Sequence, residues 1–137
     1  MTMKKMVALI GLIALLIAAL IPHAAFTEDK DAVLLARVIY ALAREDSYDA
    51  KLAIGTVAMN RVDSPWFSPT LGGVLNEQHQ FPYGSRYDDE SLSAAHAVLA
   101  GKRTLKSNVV YYQSASASAP RQDTPVKTVG GFNFYAG

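Results

Sequence analysis

The 137-residue chain contains no cysteine. That excludes disulfides and thiolate metal sites, so a folded domain here must be held by its own core. It does not argue against export. No set of residues has the spacing of a metal site either, and no cofactor is expected. Excess charge of one sign is also missing. Lys and Arg number 13 against 12 Asp and Glu, and two of the basic residues, Lys4 and Lys5, stand at the very start. From Thr27 onward eleven basic side chains therefore face twelve acidic ones, a net charge near −1. There is no basic stripe of the kind a phosphate backbone demands, so nucleic acid is not an expected partner. Long apolar runs are absent too, with one exception.

The exception is Met6 to Ile21, which follows the basic leader Met1-Thr2-Met3-Lys4-Lys5. As a helix its sixteen residues would span roughly 24 Å, slightly less than a bilayer core of about 30 Å. A basic start, a short apolar stretch and then small residues is the pattern of an export signal. Ala24 and Ala25 are small, but the positions three back from a cut after either are Pro22 and His23. Residues 1–26 are thus read as a signal peptide or as an N-terminal membrane anchor inserted through residues 6–21, with a buried core helix as the third alternative. The first two put the rest of the chain outside the cytoplasm. Residues 27–137 suffice for one domain and not for two.

Within that domain the first half is helical in period. Val33, Leu34, Leu35, Val38, Ile39 and Leu42 recur at three- and four-residue spacing, with Asp29 or Asp31 as the cap. Glu45-Asp46-Ser47 interrupts, and a second helix begins near Tyr48, buries Leu52, Ile54, Val57, Ala58 and Val62, and stops at Ser64-Pro65. A short helix over Leu71 to Leu75 and a polar loop from Asn76 to Tyr87 follow. Asp88-Asp89-Glu90 supplies negative charge where a third helix starts, and Gly101 ends it. The last third changes period: Asn108 to Tyr112 reads as a strand, Ser114 to Pro120 as a Ser/Ala loop, and Val126 to Tyr135 as a hairpin turning at Gly130-Gly131. Helices first and a small antiparallel sheet afterwards is an α+β arrangement.

Several pieces, none specific alone, stand in a telling order. They are Leu35-Ala36-Arg37-Val38-Ile39-Tyr40-Ala41, Arg44, Tyr48, Ala53 to Val57, Asn60-Arg61-Val62, Ser64-Pro65, Phe67, Gly73-Val74, Gln80-Phe81, Tyr111-Tyr112, Val129-Gly130 and Phe134-Tyr135. Together they resemble the spore cortex-lytic family of bacterial cell-wall hydrolases over nearly the whole domain. The resemblance implies a small lysozyme-like helical domain with a C-terminal antiparallel hairpin or sheet, acting on peptidoglycan glycan strands as a lytic transglycosylase or glycosidase. It also implies one glutamate near the end of the first helix. A carboxylic acid in a partly apolar cleft stays protonated and can donate to the glycosidic oxygen. The sugar's own 6-hydroxyl then attacks, so a second carboxylate is not needed, unlike in most glycosidases.

This chain departs from the pattern. Where the family reads Ala-Glu-Ala-Arg-Gly-Glu, it has Ala41-Leu42-Ala43-Arg44-Glu45-Asp46, so Leu42 holds the glutamate's place. Phe132 stands where the family's hairpin commonly has histidine. Glu45 is the substitute acid by position, sharing a face with Leu42 if the helix continues; the plainer reading is a solvated residue at a helix junction. Asp46 matches the family's second acidic position, in a supporting role. Gln80 and Phe81 read as sugar-binding residues on a loop facing the cleft, or as a loop anchored by Phe81 in the core. Tyr111 and Tyr112 point to opposite faces of a strand, one to the core and one to the groove. Arg44 is a further substrate-binding candidate, or, with Arg37 and Asn60-Arg61, a scaffold hydrogen-bonder. Trp66 and Phe67 read as core residues more readily than as sugar platforms, and His79 as an exposed loop residue more readily than as an acid or base. The alternative to an enzyme is an inactive relative that binds peptidoglycan or serves as a membrane-anchored structural protein.

Overall fold

The computed structural model describes residues 29–137, so the leader expected over residues 1–26 lies outside the described residues. Among the described residues no helix is long and apolar enough to cross a membrane. Helix α1 covers Lys30–Ala43, and Asp29 is its cap, accepting the Asp31 amide at 3.0 Å. Helix α2 (Tyr48–Asp63) is capped by Ser47, whose Oγ accepts the Ala50 amide. The short α3 (Leu71–Leu75) is capped by Thr70, and α4 (Asp89–Leu99) by Asp88, which accepts the Ser91 amide at 2.8 Å. Each cap is a short polar side chain meeting an amide that the helix itself leaves free.

The sheet has three antiparallel strands in the order β1 (Val109–Ser114), β3 (Phe132–Ala136), β2 (Lys127–Val129). The hairpin expected at Gly130-Gly131 is the β2–β3 pair, with Gly130 at φ +55°, where glycine carries no Cβ penalty. Its second strand is central because β1 adds to its other edge, with Tyr112 opposite Phe134 and Ser114 opposite Phe132. An irregularity between Val109 and Tyr111 lets Val109 and Val110 both be buried.

The core forms where α4 packs on α1 and α2, and α2 on β1. Helix α2 is buried on every side from Ala50 to Ala58, rather than along one stripe, because helices and sheet enclose it. In α1 the buried face is Ala32, Leu35, Ala36, Val38, Ile39 and Ala43, while Leu34, expected inside, is exposed. Trp66, read above as core, is also exposed, whereas its neighbour Phe67 packs partly against the core.

Candidate functional site

Helix α1 ends at Ala43, and the chain turns through Arg44-Glu45-Asp46 before α2 begins. The last carbonyls of a helix need donors from elsewhere. The main donor here comes from the first turn of α2. Lys51 is buried, and its ammonium donates to the carbonyl of Arg44 at 3.3 Å, the carbonyl of Asp46 at 2.9 Å and Oε1 of Glu90 at 2.9 Å. Three N–H bonds meet three acceptors, which is what makes a buried lysine tolerable. Asp46 fixes the junction on its other side. Its Oδ1 accepts the Ser47 amide at 2.7 Å and its Oδ2 the Gly131 amide at 2.8 Å. The α1–α2 junction is thereby tied to the β2–β3 turn, and a Cβ on Gly130 would run into the Asp46 carboxylate.

A groove of about 380 Å³ lies between these pieces. Leu42 and Phe132 are the large apolar residues of its lining; Arg44, Glu45, Asp46, Ser114 and Ser116 are its polar residues. Phe132 is buried and Leu42 half-buried. Helix α1 stops short of Glu45, whose side chain is 90 % exposed and meets Nε of Arg44 at 3.6 Å. The Arg44 guanidinium also stands 6.0 Å from the centre of the Tyr40 ring.

The other expected substrate residues gather round Arg61. This side chain is buried, donating from Nε to the Val110 carbonyl at 2.7 Å and from Nη1 to Oε1 of Gln80 at 3.1 Å. Its guanidinium lies 4.9 Å from the Phe67 ring centre and 5.0 Å from that of Phe81. Burial pushes its pKa below the usual arginine value, against the pull of nearby Tyr112. Tyr112 donates to the Gln80 carbonyl at 2.6 Å and stacks on Phe81 at 5.2 Å. Burial pushes the Tyr112 hydroxyl up to about 12, with the Arg61 charge opposing. Gln80 and Phe81 are thus bound into an internal cluster, Phe81 being buried. Tyr112 reaches the groove indirectly, edge-on to Phe132 at 6.3 Å. Tyr111 faces elsewhere, towards Phe67 and the Arg121 guanidinium. His79 is exposed, at φ +63° in its loop.

A model of the cell wall hydrolase family matches residues 45–135. The chain belongs to that family. The match begins at Glu45, just past Leu42. This cell wall hydrolase domain is 31 % identical over 98 residues to the spore cortex-lytic enzyme of Bacillus subtilis, a match covering 67 % of this chain and 32 % of that protein. To the spore cortex-lytic enzyme of Halalkalibacterium halodurans it is 36 % identical over 53 residues, covering 39 % of this chain and 16 % of that protein. The match therefore spans a third or less of the length of these curated relatives. Among solved structures, the catalytic domain of the Bacillus cereus SleB protein superposes with a TM-score of 0.68 at 23 % identity, covering 77 % of this chain and 88 % of that one. The catalytic domain of the germination-specific lytic transglycosylase SleB from Bacillus anthracis gives 0.68 at 21 %, covering 80 % and 98 %. At such identities the likeness establishes the fold, which is the α+β fold the sequence resemblance implied.

One residue and one contact central to this site escaped the sequence reading. Lys51 sits on the same helical row as Ala58, so a charge at a core-facing position was the available signal. The Asp46–Gly131 link had none, because its partners lie 85 residues apart.

Proposed function

We propose that this domain acts on the glycan strands of peptidoglycan, held in the groove at the end of α1. The observation that carries the reading is the groove itself. Lys51 fixes the α1–α2 junction and Asp46 ties it to the β2–β3 turn, and together they build a concave surface in a member of the cell wall hydrolase family. Its chemistry suits a sugar ring, which has an apolar face and a polar edge: Leu42 and Phe132 offer the first a surface, and Ser114, Ser116 and Arg44 offer the second hydrogen bonds. The names of the relatives, spore cortex-lytic enzyme and lytic transglycosylase, support cleavage of such strands.

Glu45 is the acid we assign. Asp46 has both oxygens engaged by backbone amides, whereas Glu45 meets an exposed arginine side chain. A bound glycan would cover Glu45, which lines the groove. A second reading, binding without cleavage, is favoured by Leu42 at the family's glutamate position and by the 90 % exposure of the Glu45 side chain. On either reading the domain works outside the cytoplasm, delivered by residues 1–26 as a signal peptide or held by them as an anchor.

The test is incubation with purified peptidoglycan, with products read by mass spectrometry. Anhydro-muropeptides that disappear in Glu45→Gln support cleavage by Glu45; lysis retained in that variant overturns the assignment. Binding without fragments establishes the second reading, and no binding at all overturns both.

A further inference from the structure

Trp66 is the only tryptophan of the chain, and it is 88 % exposed. It stands just beyond α2 on a fixed stretch of backbone, its own amide donating to Ser64 Oγ at 3.3 Å and the Phe67 amide to the Ser64 carbonyl at 3.4 Å. Beside it is a hollow of about 350 Å³, separate from the groove at α1. Phe67 and Tyr111 give this hollow further aromatic surface, and Asp63, Ser64 and Asn108 give it polar groups. We propose that the hollow is a second sugar-binding subsite, where Trp66 stacks on a pyranose ring of a peptidoglycan glycan strand.

The inference rests on the proposed function and extends it to a part of the molecule the groove does not include. Large aromatic surface left in water is unfavourable; Phe81, Phe132, Phe134 and Tyr135 avoid it by burial, whereas Trp66, like Tyr83, does not. A flat ring beside carboxylate, hydroxyl and amide groups is complementary to a sugar, which presents apolar C–H bonds on its face and hydroxyls at its edge. Buried side chains link the two sites through the core. Phe67 packs on Arg61, Arg61 on Phe81, Phe81 on Tyr112, and Tyr112 on Phe132 in the groove. Strand β1 lines the hollow with Tyr111 and the groove with Ser114, which point to opposite faces of the strand. The two positions are about 10 Å apart along the strand.

Because the chain has a single tryptophan, its fluorescence reports on this position alone. The full chain is titrated with soluble glycan oligosaccharides prepared from peptidoglycan and stripped of peptides. The expected result is a blue shift of emission with protection from acrylamide quenching. Trp66→Ala should sediment with insoluble peptidoglycan about tenfold more weakly, the size expected for one stacked ring, with an unchanged circular dichroism spectrum. Trp66→Phe should keep most of the binding. Wild-type binding with unaltered emission, or a Trp66→Ala chain that binds like wild type, overturns the subsite and leaves the proposed function standing. A wild-type chain that does not sediment with peptidoglycan overturns both. An emission shift caused by phosphatidylglycerol vesicles, or by raising protein concentration without glycan, assigns the hollow to a membrane or a second copy and overturns the sugar.

Discussion

At the scale of single residues, Leu42 and Phe132 are the informative pair. They stand where the family resemblance implies glutamate and commonly histidine, and both line one groove. Placing a carboxyl at Leu42 is therefore a direct experiment. Leu42→Glu places a carboxyl at a half-buried position beside buried Phe132, an environment that favours the protonated form. The expected outcome is peptidoglycan lysis at a rate above that of the wild-type chain, followed by turbidity and by mass spectrometry of the products. A variant that folds, binds and lyses no faster would show that a carboxyl at this position adds nothing to the groove's activity. Tyr112 offers a second test at this scale. Its folded pKa, about 12, lies above the ordinary value of 10.0, so the folded state holds the proton more tightly than the unfolded chain. Its contribution to stability is complete below pH 10 and is lost as pH rises through about 12. Tyr112→Phe loses the hydrogen bond to the Gln80 carbonyl, so it should be less stable by about 1 kcal/mol near neutrality. Its stability should also fall less steeply than that of wild type in alkali, as read by urea unfolding at a series of pH values.

At the scale of elements, the helices and the hairpin were legible because their signals are local. Asp29, Ser47, Thr70 and Asp88 each bond an amide two or three residues ahead, so the caps could be read from neighbouring letters. The strand order was not legible, since β3 is central only because β1 joins its far edge. The same locality makes the Asp88 cap easy to test. Hydrogen bonding from Ser91 holds the Asp88 carboxyl below its usual pKa. Such a group stabilises the fold above its unfolded pKa and loses that effect as pH falls through its folded one. Asp88→Ala should cost about 1 kcal/mol at pH 7. The difference from wild type should shrink as the pH falls below about 4, measured as paired thermal melts.

At the scale of the whole molecule, Arg61 joins helices to sheet. It rises from α2, holds the Val110 carbonyl of β1 and the Gln80 side chain of the loop, and lies among the rings of Phe67, Phe81 and Tyr111. The sequence marked it as a scaffold residue. It could not show that Gln80 and Phe81, read as facing the cleft, are gathered round that guanidinium, because the contact needs the long loop from Asn76 to Tyr87 to fold back on α2. What was assigned to sugar binding by likeness is thus engaged first in joining the two halves of the fold. Arg61→Met keeps much of the volume but leaves the Val110 carbonyl without its charged donor. It should cost about 3 kcal/mol, near the upper range for hydrogen bonds to a charged group. Arg61→Lys should not rescue it, because an ammonium cannot reproduce the planar fork that donates two ways while stacking on rings. Urea unfolding followed by both helical ellipticity and Trp66 fluorescence distinguishes the outcomes. Coincident transitions at lower urea mean that Arg61 holds one cooperative unit together, whereas separated transitions mean that helices and sheet come apart.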